Sequence, residues 1–286
     1  MSSVEGAQNA AGIQSEIAFD QARAERVAAD RRRRAGFQNF GIRLASLAIF
    51  LGVWQIGAMN VDPVLFTSPV KVAYAAVGMI ASGELWAGLW PSLVVLAIGL
   101  TLAIIFGTLL GLALARFHIL DVGLTVYITF LYSIPSVALV PLIVLWAGFE
   151  TTAKVIILFL FAFFPMVINT YQGVKSVDPK LLEVGRAFRC SEAQLWKNIV
   201  LPGALPFIVT GIRLALGRGL IGMVLADLYT AISGIGYLIV RSASTFQVDK
   251  MFVPIVTLGL LGVTLTALLR LAERHVAPWT AARQDD

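Results

Sequence analysis

The chain is short of charge for its length. Asp, Glu, Lys and Arg together make up 14% of its 286 residues, against 58% hydrophobic residues, whereas soluble domains carry about 25% charged residues. That shortage excludes a water-soluble domain held by one anchor and implies a chain that lives mostly in lipid. Cysteine occurs once, at Cys190, which excludes a disulfide framework within the chain and leaves a small, buried or partly buried thiol. Histidine occurs twice, at His118 and His275, far apart and each beside the end of an apolar segment. With no Cys/His cluster, no metal site is expected, and a Ser-His-Asp triad has little support, so no catalytic residue is assigned. The G-x-x-x-x-G-K-[ST] phosphate loop does not occur, which excludes ATP binding by that route. Basic patches interleaved with aromatics are missing too. The net charge of +5 is therefore read as membrane topology and not as nucleic-acid binding.

What is present is a series of six apolar segments, near 40–59, 89–115, 122–146, 155–171, 207–229 and 252–272. A helix needs about 20 residues to cross a bilayer, so these are six expected spans. Residues 1–36 lack an apolar core and end in four arginines at 31–34. That pattern is expected of an uncleaved signal-anchor with a cytosolic N-terminus, the tail being a marginal surface helix or disordered. With the N-terminus inside, sixteen Lys and Arg fall on the inner side and four outside, namely Lys71, Lys154, Arg241 and Lys250. This bias puts both termini in the cytosol.

Two outer stretches read as ordered. Ser68-Pro69 is a cap and first helical position for an apolar run to Ile80, expected at the outer interface. Gly234 and Gly236 precede Tyr237-Leu238-Ile239-Val240, a turn into a short helix that dips into the assembly. Pro135 and Pro141 interrupt the third span, either as a structural kink or to shape a helix that lines a cavity. Arg213 and Arg218, in the fifth segment, are satisfied at the cytosolic end by lipid phosphate or a carbonyl, or else they face a path. Asp227 lies about 13 Å beyond Arg218 along a helix, too far for a pair, and is expected to pair across an assembly or to border an outer gate.

The insert at 176–202 is charged and capped, yet sits between apolar spans. Asp178-Pro179 starts a helix that carries Leu181, Val184 and Phe188 on one face, with Lys180, Glu183 and Arg186 on the others. Ser191 and Gln194 form a capping-box pattern for a second short helix with Leu195, Trp196 and Ile199. Pro202 is expected to end or kink that helix, and a tight turn near Arg189-Cys190 to join the two. The residues alone allow either a docking element or a linker packed on its own membrane end.

This insert resembles the loop of ATP-binding-cassette importer permeases that reads Glu-Ala-Ala, three residues, Gly, nine residues, Ile-x-Leu-Pro. Glu183, Ile199, Leu201 and Pro202 fall at the required positions, while Val184 and Gly185 replace the alanines and Arg189 stands for the glycine. Arginine in a left-handed turn costs roughly 1–2 kcal/mol. The turn is therefore expected to shift to Cys190, or Arg189 to continue the helix and offer its charge to a partner. Phe164-Pro165, Asn169, Gly173 and Val177-Asp178-Pro179 resemble the family's approach to this loop. Leu205-Pro206, Gly211-Ile212-Arg213-Leu214 and Gly217-Arg218 resemble its exit. Ser233-Gly234-Ile235-Gly236-Tyr237-Leu238 and Ile134-Pro135 with Pro141 resemble the branch that takes up nitrate, sulfonate, taurine or bicarbonate, and the likeness covers about 40–275.

The resemblance implies an all-α, polytopic type I importer permease with about six transmembrane helices over 37–275, cytosolic coupling helices in 176–202 and a cytosolic tail over 276–286. It implies a multi-pass subunit of the bacterial inner membrane that does no enzymology itself and binds no cofactor, ATP and Mg being held by partners. Those partners are two ATPase subunits, a second permease copy in a homodimer and an extracytoplasmic substrate-binding protein. ATPase coupling then falls to Glu183, Val184, Gly185, Ala187, Phe188, Arg189, Cys190, Ser191 and Trp196. The translocation path falls to Pro135, Ser136, Asn169, Arg213, Arg218 and Asp227, and the cargo is a small anionic solute. The alternatives are a self-sufficient secondary transporter, for which Asp227 is the one candidate ion-binding carboxylate deep in the spans, and a membrane scaffold without a path.

Overall fold

The computed structural model describes residues 37–62 and 64–276. The expected tails, 1–36 with its arginines and 277–286, lie outside the described residues. The chain divides into two units at residue 62. The first holds α1 (Phe37–Met59), an apolar helix of 23 residues, long enough to cross a hydrocarbon core about 30 Å thick.

In the second unit every regular element among the described residues is helical: α2 (Pro69–Ala81), α3 (Glu84–Arg116), α4 (His118–Ser133), α5 (Ser136–Ala147), α6 (Thr151–Lys175), α7 (Pro179–Ala187), α8 (Glu192–Leu195), α9 (Leu201–Thr230), α10 (Ile235–Ser244) and α11 (Val248–Val276). Among the described residues, and counting α1, five helices are long and apolar enough to cross a membrane, or six if the bent pair α4–α5 is one span. Ser68 caps α2 through a hydrogen bond from the Lys71 N–H, as its sequence implied.

Two expectations about continuity change. The third span is not one helix with a proline kink but two, α4 and α5, which meet at 94°. Ile134 is extended and Pro135 caps α5, because a residue before proline is pushed out of the α region. Pro141, by contrast, is accommodated inside α5. Pro202 does not end its helix. Residues Glu192–Thr230 form one helix of 39 residues, in which a π turn at Trp196–Val200 precedes Pro202. The wider turn relieves the clash between a proline ring and the carbonyl four residues back.

The core runs along α6, which packs on both α3 and α9. Lipid is as apolar as leucine, so close packing holds helices together here in place of water exclusion. The α3 face toward α6 is correspondingly small. Gly99, Ala103, Gly107 and Gly111 recur every four residues, and a Cβ at Gly111 would come within 2.7 Å of the Val167 carbonyl oxygen on α6. Leu158, Met223 and Ile235 fill one cluster, and Val140, Ile157, Phe161 and Ala226 another.

Candidate functional site

The 176–202 insert is built as its caps imply. The Asp178 carboxylate accepts from the Lys180 N–H at 2.9 Å. The Ser191 N–H donates to Gln194 Oε1 at 2.8 Å and the Gln194 N–H to Ser191 Oγ at 3.3 Å, closing the capping box. The joint between them departs from expectation. Arg189 neither continues the helix nor passes the turn to Cys190; it takes the left-handed conformation itself, with φ 57°. The Cys190 N–H reaches the Gly185 carbonyl at 3.0 Å and the Arg189 N–H reaches the Arg186 carbonyl at 2.8 Å. This is a Schellman motif, and its two hydrogen bonds hold an arginine where glycine would sit without strain. The fold needs this turn because it lays Leu195 of α8, 3% exposed, on the backbone of Gly185.

With Leu195 and Gly185 turned inward, the apolar face of α7 points the other way. Leu181 is 53%, Val184 54% and Phe188 80% exposed, and Glu183, Ala187 and Ser191 are exposed beside them. Glu183 makes no hydrogen bond or ion pair among the described residues. Cys190 and Trp196 are half-buried. The guanidinium of Arg116, at the end of α3, lies 5.4 Å from the Trp196 ring centroid and bonds Glu192 at 2.7 Å. The insert is thus tied back to the span bundle while one face stays open. At the same end, Asp121 of α4 binds Lys175 at 2.8 Å and accepts from the Tyr171 hydroxyl at 2.7 Å.

A second feature forms at the break between α4 and α5. Pro135, Ser136 and Arg218 line one recess of about 200 Å³ together with Tyr132, Ser133 and Phe164. Three of the six path candidates therefore meet in space. The other three stand apart from them. Asn169 donates to the Pro165 carbonyl at 2.8 Å within its own helix and borders Gly211 on α9. Arg213 is bound by Glu273 of α11 at 2.6 Å, a side-chain partner that the sequence reading did not name.

Asp227 corrects the sequence reading most. It pairs within its own chain, with Lys154, at 2.8 Å, and the two side chains are 1% and 3% exposed. Lys154, counted above among outer loop charges, lies inside α6. Its ammonium group also donates to the Ser233 carbonyl at 2.5 Å and to Ser233 Oγ at 3.1 Å, which uses its three protons. The other carboxylate oxygen accepts from Ser92 Oγ of α3 at 2.5 Å and from the Gly236 N–H at 3.4 Å, while Ser92 Oγ accepts from the Ile235 N–H at 2.8 Å. The first turn of α10 thus presents its positive end to a carboxylate. Gly234, at φ 105°, brings the backbone so close that a Cβ there would fall on that carboxylate. A lysine near the start of α6 and the one carboxylate of α9 were the available signal for this bracket; their separation of 73 positions hid it.

Residues 103–281 match the family described as "Binding-protein-dependent transport system inner membrane component". Two relatives are named "Putative aliphatic sulfonates transport permease protein SsuC". The one from Bacillus subtilis is 32% identical, covering 87% of this chain and 91% of its own; the one from Escherichia coli is 34% identical over 81% and 89%. The E. coli taurine transport system permease protein TauC is 29% identical over 83% of this chain and 89% of its own. Among solved structures, a chain of the MetNI methionine ABC transporter superposes with a TM-score of 0.51 at 18% identity, over 66% of this chain and 92% of that one, a likeness of fold alone. Family match and relatives agree with the helical architecture built above, and the chain belongs to the family of binding-protein-dependent transport system inner membrane components.

Proposed function

We propose that this chain is the membrane subunit of an ATP-driven importer for a small anionic solute, of the kind named for its sulfonate and taurine relatives. The observation that carries the coupling half of this reading is the open stripe of Leu181, Val184 and Phe188 on α7. A short helix in water exposes three large apolar side chains at one face when a partner covers them. The partner is a separate ATPase, which holds the ATP and Mg. α7 seats in its surface, and the capping box and the Arg116–Glu192 pair carry movement from that seat into α3 and α9. Glu183, Val184, Gly185, Ala187, Phe188, Arg189, Cys190, Ser191 and Trp196 make up the seat and its support.

Two copies of the chain enclose the path in the inner membrane, two ATPases dock on the cytosolic side, and an extracytoplasmic binding protein delivers cargo. Both termini are cytosolic. A self-sufficient secondary transporter is disfavoured because its one candidate ion-binding carboxylate, Asp227, is already balanced by Lys154.

The test is co-purification and ATPase stimulation with Phe188→Glu and Glu183→Arg variants. Both side chains are exposed, so the fold should survive while the ATPase is lost or uncoupled. Normal assembly and coupling in both variants would defeat the docking role. Uptake by the chain alone in vesicles, without an ATPase, would favour the secondary transporter. Failure to recover any ATP-hydrolysing chain with the native protein would favour a scaffold.

A further inference from the structure

The charges carried deep in α6 and α9 are neutralised with one exception. Lys154 has Asp227 and Arg213 has Glu273, while Arg218 makes no hydrogen bond or ion pair among the described residues. Arg218 stands twelve residues before the end of α9 at Thr230, about 18 Å along the helix. With the end of α9 set at the outer boundary of a hydrocarbon core about 30 Å thick, Arg218 lies near the midplane. A charge at that depth persists where it meets a counter-ion or a water-filled cavity.

The recess it faces supplies the cavity. Irregular backbone at membrane depth survives where protein or water covers it, and the extended Ile134 and Pro135 make such a break. The Arg218 guanidinium and the hydroxyls of Tyr132 and Ser136 have no partner among the described residues, so each has a donor to offer, across from the open carbonyls at the end of α4. Pro135 and Ser136, at the start of α5, line the same space, where the uncapped positive end of α5 meets the negative end of α4. No carboxylate lines the recess. At about 200 Å³ it has room for a small oxyanion with some of its water.

We propose that Arg218, Tyr132 and Ser136 form an oxyanion-binding subsite at the α4–α5 break, where the headgroup of a sulfonate-like solute pauses during passage. This rests on the importer reading above and adds a residue-level basis for selecting anions inside the membrane subunit itself. The guanidinium offers paired N–H donors to two oxygens of the headgroup. The two hydroxyls take the remaining oxygen. An apolar wall at Phe164 accepts the alkyl part.

The test is direct binding to the purified full chain in neutral detergent without phospholipid, using methanesulfonate and, as the uncharged isostere, dimethyl sulfone. Methanesulfonate should bind and dimethyl sulfone should not. Arg218→Gln should weaken methanesulfonate by about ten- to a hundredfold, Arg218→Lys by less, and Ser136→Ala and Tyr132→Phe by a few-fold each. Thermal unfolding of each variant checks that it is folded. The hydroxyl variants keep the proposal testable if Arg218→Gln does not fold. Equal binding of the two probes, or native affinity in Arg218→Gln and in both hydroxyl variants, overturns the subsite. If the native chain couples to its ATPase but binds no methanesulfonate, the subsite is wrong and the importer reading stands. If methanesulfonate binds but no ATPase seats on α7, the importer reading fails and the anion site remains.

Discussion

Replacing Lys154 with methionine should destabilise the protein far more than its size change suggests. Methionine keeps the length of the stem, so little volume is lost. What is lost is the cation opposite Asp227, whose side chain is 1% exposed. Its carboxylate would keep the Ser92 hydroxyl and the Gly236 N–H but carry an uncompensated charge in an apolar interior. Removing one member of a buried pair costs about 3–5 kcal/mol. The second substitution, Asp227→Asn, is isosteric and neutral, and its amide oxygen still meets the Ser92 hydroxyl and the Gly236 N–H. The double variant Lys154→Met/Asp227→Asn should therefore recover more than half of the single variant's loss, because no buried net charge is left. Reversible unfolding in detergent, run as a double-mutant cycle on the full chain, reads both numbers. A Lys154→Met loss under about 1 kcal/mol, the range of exposed pairs, would refute the assignment of this pair as buried and coupled. So would a double variant no more stable than the single one.

Other outcomes are expected from single positions. Arg189→Gly should raise stability by about 1 kcal/mol, since the left-handed turn costs arginine roughly 1–2 kcal/mol, whereas Arg189→Val should lower it; thermal unfolding of the pair gives the sign. Gly234→Ala should lower stability by more than the 1–3 kcal/mol typical of an overpacked site, because the new Cβ falls on the Asp227 carboxylate. A loss under about 0.5 kcal/mol in that variant would show that the loop does not lie on the carboxylate.

The parts of the molecule that were legible in the sequence are those whose causes lie within a few residues. Asp178-Pro179 and the Ser191–Gln194 box are closed by hydrogen bonds three residues apart or less, so reading the neighbours was enough. The same holds for Ser68 ahead of α2 and for Gly234 ahead of α10. Arg189 was misread because local preference was the only term in view. The penalty of its left-handed turn is offset by two Schellman hydrogen bonds and by the seating of Leu195 on Gly185, and that contact joins two helices. Pro202 was misread as a break for a similar reason: the π turn that absorbs it is a property of the whole helix from Glu192 to Thr230.

By itself the sequence determined that the chain is built of apolar helices long enough to cross a membrane, and where a capped insert interrupts them. Hydropathy and caps are sums or short-range effects, and they survive without coordinates. Tertiary structure alone decided which deep charges are quenched and which is left over. Lys154 meets Asp227 across 73 positions and Arg213 meets Glu273 across 60, and such pairings depend on how helices cross. Arg218, exposed on the chain, is left facing the bend at Pro135, because the way the helices cross brings no carboxylate beside it.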